Sequence, residues 1–133
     1  MASNEASKKI LVVDNDETIT SMFECILNPL GYEVTSVFTG EDGISAVLSE
    51  PNFRLIFLDV RMPGRSGLDI LGDICKINPK IPVLLMSGFS IDSLFQEGFS
   101  NGAYGVMYKP FDVDEVLSIL NKVFKKGAES CPA

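Results

Sequence analysis

Between Lys9 and Phe124, short apolar runs alternate with stretches whose apolar residues recur at spacings of three and four. Ile10-Leu11-Val12-Val13 predicts a strand over about Lys9 to Val13. The next stretch carries Ile19, Met22, Phe23, Ile26, Leu27 and Leu30 on one helix face. Asn28-Pro29 and Gly31 end that helix, because proline resists its continuation and glycine permits the reversal. A second strand is expected over Tyr32 to Val37. A second helix starts near Thr39, which has capping-box spacing to Asp42, and buries Ile44, Val47 and Leu48. Phe53 to Leu58 is almost continuously apolar, the mark of a strand buried on both faces. Leu68, Leu71, Ile74 and Cys75 give a third helix, stopping before Asn78-Pro79, and Pro82 to Met86 a fourth strand. Leu94, Phe95 and Phe99 give a helix over about Ile91 to Phe99, ended by Asn101-Gly102. A fifth strand covers Tyr104 to Tyr108, and a last helix shows Val113, Val116, Leu117, Leu120, Val123 and Phe124. Five strands and five helices in strict alternation predict β-α-β units around a parallel sheet, an α/β domain.

Composition narrows the function without naming it. The chain of 133 residues suits one domain, expected over 8–126, between a disordered segment 1–7 and a flexible tail 127–133. No apolar stretch approaches the roughly 18–20 residues of a membrane span, and the polar start lacks a signal peptide's apolar segment. A cytoplasmic location with no membrane partner is the resulting expectation. Eighteen acidic against eleven basic residues give a net charge of −7, which argues against direct binding of nucleic acid. The chain contains no histidine, so imidazole-based catalysis and imidazole-bound zinc are excluded. Cys25, Cys75 and Cys131 are too widely spaced for a metal pair or a disulfide framework.

The chemistry gathers where strands end. The first, third, fourth and fifth apolar runs close on Asp14, Asp59, Ser87 and Lys109. Open α/β sheets bind ligands at that rim. Asp59 also opens a Pro/Gly loop, Met62-Pro63-Gly64-Arg65-Ser66-Gly67. Each residue alone has a plainer reading: Asp14 and Asp16 as helix caps, Ser87 as a strand terminator, Lys109 as a surface lysine. Together, Asp14-Asn15-Asp16 and Asp59 form an acidic cluster that a hard divalent cation would relieve. Mg²⁺ suits one or two carboxylates with waters and phosphate oxygens. A carboxylate nucleophile, Mg²⁺, an amine and a hydroxyl combine most economically as phosphoryl transfer to an aspartate.

The chain resembles the receiver domains of two-component response regulators, of the chemotaxis-regulator type, from about Lys8 to Lys126. The resemblance is carried by Ile10-Leu11-Val12-Val13-Asp14, by Leu58-Asp59-Val60-Arg61-Met62-Pro63-Gly64 with Gly67, by Met86-Ser87-Gly88 and by Lys109-Pro110-Phe111. It implies a flavodoxin-like, doubly wound five-stranded parallel sheet of order 2-1-3-4-5 with five helices. It also implies phosphoryl transfer from a phosphohistidine, on a sensor histidine kinase or histidine phosphotransfer protein, to Asp59. Asp14, Asn15, Asp59 and the Arg61 backbone carbonyl would hold Mg²⁺, with Asp16 a further candidate. Ser87 and Lys109 would meet the phosphoryl group, and the Lys109-Pro110 peptide would be cis. The partner downstream is an unknown output protein or effector domain, and the surface of the fourth helix, fifth strand and fifth helix is a candidate dimer face.

Two departures and one variable pair of positions qualify the resemblance. Asn15 stands where the family usually has a second metal-binding acid, so Mg²⁺ affinity should fall. Val106 stands at the family's aromatic switch position; Tyr104 and Tyr108 share its parity and could take the role, although the plainer reading, which is preferred, makes them ordinary strand residues. Arg61 and Phe89 sit where the family varies side chains that gate water, and a large pair there implies slow self-hydrolysis. Two rival functions draw on the same residues. Asp14-Asn15-Asp16-Glu17-Thr18 fits the nucleophile motif of haloacid dehalogenase-like phosphatases, with Asp14 as nucleophile and Asp16 as acid/base. A pseudo-receiver, folded but not phosphorylated, is the other.

Overall fold

The computed structural model describes residues 8–62, 64, 66–88 and 102–129. In chain order the elements are β1 (Lys9–Val13), α1 (Glu17–Leu27), a 3₁₀ turn (Asn28–Leu30), β2 (Glu33–Val37), α2 (Gly40–Ser49), β3 (Phe53–Asp59), α3 (Gly67–Ile77), β4 (Val83–Ser87), β5 (Gly105–Tyr108) and α4 (Val113–Glu129). The strands form one parallel sheet of order β2-β1-β3-β4-β5. That is the doubly wound order expected from the resemblance. Val13 pairs with Leu58, Asp59 with Met86 and Ser87 with Tyr108, so the strands finish along one rim.

Side chains alternate between two cores. Leu11, Val13, Ile56, Leu58, Val83 and Leu85 pack under α2 and α3 against Val47, Ile70, Leu71 and Ile74. Ile10, Val12, Leu55, Phe57, Leu84, Met86 and Met107 face α1 and α4 against Phe23, Leu27, Val116 and Leu120. Covering both faces explains why the central strands read as unbroken apolar runs.

The helix starts follow their caps. Asp16 accepts from Thr18 N (2.9 Å), Thr39 from Asp42 N (3.0 Å) and Ser66 from Leu68 N (3.0 Å). At α4 the capping is reciprocal: Glu115 N donates to Asp112 Oδ1 (3.0 Å) and Asp112 N to Glu115 Oε1 (3.1 Å).

Periodicity misjudged several inward faces. Leu30 falls in the 3₁₀ turn beyond α1 and is 52% exposed. Gly31 follows at φ 95°, the left-handed conformation that reverses the chain. Leu48 is 64% exposed, because α2 buries the stripe Gly40, Gly43 and Val47 instead. A Cβ on Gly40 would come within 2.5 Å of Ile70 Cγ1, so α2 and α3 touch across a glycine that an apolar count ignores. On α3 the unexpected core residue is Ile70, while Leu68 and Cys75 are only partly buried. Tyr32, Pro82 and Tyr104 lie just outside their strands, β4 runs on to Ser87, and α4 continues to Glu129, making 127–129 helical rather than tail. The helix expected over Ile91 to Phe99, Phe89, and segments 1–7 and 130–133 lie outside the described residues. Among the described residues no helix is long and apolar enough to cross a membrane.

Gly72 lies inside α3, where an added Cβ would meet nothing within 4 Å. Gly72→Ala is therefore expected to stabilise the fold by roughly 0.5–1 kcal/mol, read as a rise in Tm by calorimetry.

Candidate functional site

Strand parity brings three of the candidate residues together. Asp14 follows Ile10 and Val12 in alternation, Asp59 follows Leu55 and Phe57, and Lys109 follows Met107, all on the side covered by α1 and α4. Lys109 Nζ donates to Asp14 Oδ2 at 2.8 Å and to Asp59 Oδ1 at 3.3 Å. The acid side chains are 1% and 7% exposed and the lysine 23%. An ammonium thus bridges two carboxylates that would otherwise face each other in a poorly hydrated place.

The remaining contacts of the two acids differ. Asp14 Oδ1 accepts from Asp16 N at 2.9 Å, so both Asp14 oxygens are engaged. Among the described residues, two hydrogen bonds reach Asp59 and both end on Oδ1, from Lys109 and, at 3.4 Å, from Arg61 N. Among the described residues no donor is bonded to Asp59 Oδ2. Burial, and then the charge of Asp14, push the Asp59 carboxyl above the usual aspartate range, with Lys109 and the Arg61 amide pulling the other way. Burial alone would depress Lys109, but its hydrogen bonds and charge contacts with Asp14 and Asp59 outweigh this and raise it.

The other expected site residues fall around this pair. Asn15 and Asp16 are exposed, and Asp16 spends Oδ1 on capping α1. Arg61 is exposed beside Asp59, next to an open depression of about 580 Å³ lined by Val60, Arg61, Met62, Gly64 and Ser66. Ser87 is fully buried at the end of β4, and its carbonyl accepts from Lys109 N at 2.6 Å. Lys109-Pro110 is cis, as expected. Tyr104 does not share a face with Val106: it precedes β5 and packs in the α1–α4 core, while Val106 packs in the α2–α3 core. Side chains alternate only within a strand, and β5 begins at Gly105.

The lysine bridge and a stack of aromatic rings beneath it were not foreseen. Phe23 of α1 lies 4.5 Å from Phe57 and 5.7 Å from Phe111, centroid to centroid. The signal available was an aromatic in the buried stripe of the helix following Asp14.

Raising the Asp59 carboxyl has a stability consequence. A folded-state value above the unfolded one means that the folded protein binds this proton more tightly, so this group's contribution to stability is complete below the ordinary aspartate range and is lost as pH rises from that range through the raised folded-state value. Asp59→Asn, without divalent cation, is expected to raise stability at pH 7 by on the order of 1 kcal/mol, a few degrees in Tm. The gain should shrink towards pH 4. Thermal melts across that range check it.

The response regulator receiver domain family matches residues 10–121. The transcriptional regulatory protein ZraR of Salmonella typhimurium is 34% identical over 121 residues, covering 91% of this chain and 27% of that protein. The DNA-binding transcriptional regulator NtrC of the same organism is 31% identical over 120 residues, covering 90% and 25%. The chain therefore spans about a quarter of the length of these relatives. Among solved structures, Vibrio cholerae chemotaxis protein CheY4 superposes with a TM-score of 0.82 at 28% identity, over 88% of this chain and 98% of that one. The chain belongs to the response regulator receiver domain family.

Proposed function

We propose that this receiver domain accepts a phosphoryl group on Asp59, from a phosphohistidine of a sensor histidine kinase or histidine phosphotransfer protein. A carboxylate oxygen of Asp59 attacks phosphorus, the P–N bond breaks, and its electron pair returns to the imidazole. The observation that carries the reading is the asymmetry of the two acids: both Asp14 oxygens are bonded, whereas among the described residues no donor is bonded to Asp59 Oδ2. The same asymmetry weighs against a hydrolase with Asp14 as nucleophile.

The donor set fits Mg²⁺. A cation, the Lys109 ammonium, already lies between Asp14 and Asp59. Among the described residues no three His, Cys, Asp or Glu side chains form a metal-holding group, but Mg²⁺ needs only one or two carboxylates with neutral oxygens and water. Asp14, Asp59, the Asn15 amide and the Arg61 carbonyl would hold it, with Asp16 kept at its cap. Bound there, Mg²⁺ would neutralise charge on the phosphoryl oxygens. Asn15 contributes no charge, so Asn15→Asp is expected to tighten Mg²⁺ binding about tenfold, on the order of 1.4 kcal/mol. Titration calorimetry on the unphosphorylated protein checks this.

Lys109 would offer its ammonium to the incoming phosphoryl group and Ser87 its hydroxyl. The output, a separate protein or an effector domain, would read the resulting change in charge.

The test is intact-mass measurement after incubation with Mg²⁺ and acetyl phosphate. Gain of one phosphoryl group supports the reading. Turnover of phosphate that depends on Asp14 would support the hydrolase. No gain, under conditions that label a control receiver, would make this a pseudo-receiver.

A further inference from the structure

Lys109 reaches its two carboxylates from the edge of the sheet. β5 lies two strands from β3 and three from β1, at about 4.8 Å per strand. A lysine stem is long and flexible, so the place of its ammonium depends on how its backbone is held. One hold is the bond from Lys109 N to Ser87 O. The other is the ring of Phe111, two residues on, packed against Phe23 at 5.7 Å and 50°.

Phe23 is fully buried and rests in turn on Phe57 at 4.5 Å. Phe57 precedes Asp59 by two residues and pairs with Val12, which precedes Asp14 by two. The rings therefore run from the lysine's loop, through α1, to the strand pair that carries both carboxylates. α1 meets the site a second time where Asp16 N donates to Asp14.

We infer that Phe23 is a positioning residue for phosphoryl transfer: acting through Phe111, it sets where the Lys109 ammonium stands relative to Asp59. The inference rests on the phosphoacceptor reading, and small misplacements of such a group cost rate rather than fold. Phe23→Leu keeps an apolar side chain in the core and removes both ring contacts.

Two readouts test it. The first is ¹⁵N NMR of lysine ammonium groups in the unphosphorylated protein, where the carboxylate-held ammonium should be protected from solvent exchange; loss in Lys109→Arg assigns it. Phe23→Leu and Phe111→Leu should each lose that signal, while Ile74→Val, in the opposite core, keeps it. The second is the rate of phosphoryl uptake from acetyl phosphate at saturating Mg²⁺. Phe23→Leu should lower it about tenfold, change Mg²⁺ affinity by less than about twofold, and have no further effect in a Lys109→Ala background.

Retention of both the ammonium signal and the wild-type rate in Phe23→Leu overturns the inference, as does a rate loss undiminished in Lys109→Ala. If the wild-type protein takes up no phosphoryl group, the proposed function fails while the ammonium signal still judges Phe23. If Phe23→Leu does not fold, the half-buried Phe111→Leu carries both readouts.

Discussion

Asp59→Asn is expected to abolish the gain of one phosphoryl group from acetyl phosphate and Mg²⁺. An amide oxygen is a far weaker nucleophile than a carboxylate, and the substitution also removes one of the two charges that would hold the metal. No other acid in the site is placed to take over: Asp14 is bonded at both oxygens and Asp16 caps α1. The measurement is intact mass with and without Mg²⁺, with the folded state checked by thermal melting. Because the same variant is expected to melt higher than the wild type, loss of phosphorylation cannot be attributed to unfolding. Full labelling of Asp59→Asn would remove Asp59 from the role.

Gly67→Ala is expected to destabilise the protein by about 3 kcal/mol, the upper end for overpacking, and to slow phosphorylation. Gly67 opens α3, with its N–H donating to Val60 O at 2.9 Å. A Cβ there would stand 2.5 Å from Asp59 O and 2.6 Å from Val60 Cα. These are backbone atoms, which cannot rotate away as a side chain could, so relief must come from moving α3 or the end of β3. Moving the latter displaces Asp59 itself. A fall in Tm of roughly 10 °C, together with slower mass gain at a temperature where the variant is still folded, is the expected pair of results. A wild-type Tm would mean that α3 can shift freely.

The order of the elements could be read from the chain because β-α-β alternation leaves a distinct trace: short apolar runs, helical spacing, then a turn residue. Asp14, Asp59 and Lys109 were placed together by the same logic, since strand ends in a parallel sheet share a rim. What the chain concealed depends on contact rather than pattern. Leu48 looked inward because apolar counts carry no information about Gly40 and Gly43, the residues over which α2 packs. Tyr104 looked like a partner of Val106 because parity requires a strand already in progress. The acids suggested mutual repulsion relieved by a metal; the folded chain in addition sets the Lys109 ammonium, 95 residues from Asp14, between them. That pairing requires knowing that β5 lies on the same side of β3 as β4, which no local spacing records.

The ammonium held between Asp14 and Asp59 also separates folding from metal supply. A domain whose acid pair could be neutralised only by a divalent ion would lose stability on chelation, as binding energy would then be folding energy. Here the counter-charge is part of the chain and always present. The domain should therefore stay folded in excess chelator, losing only the stability that bound Mg²⁺ adds by mass action, so that scarcity of magnesium would silence the site without removing the protein.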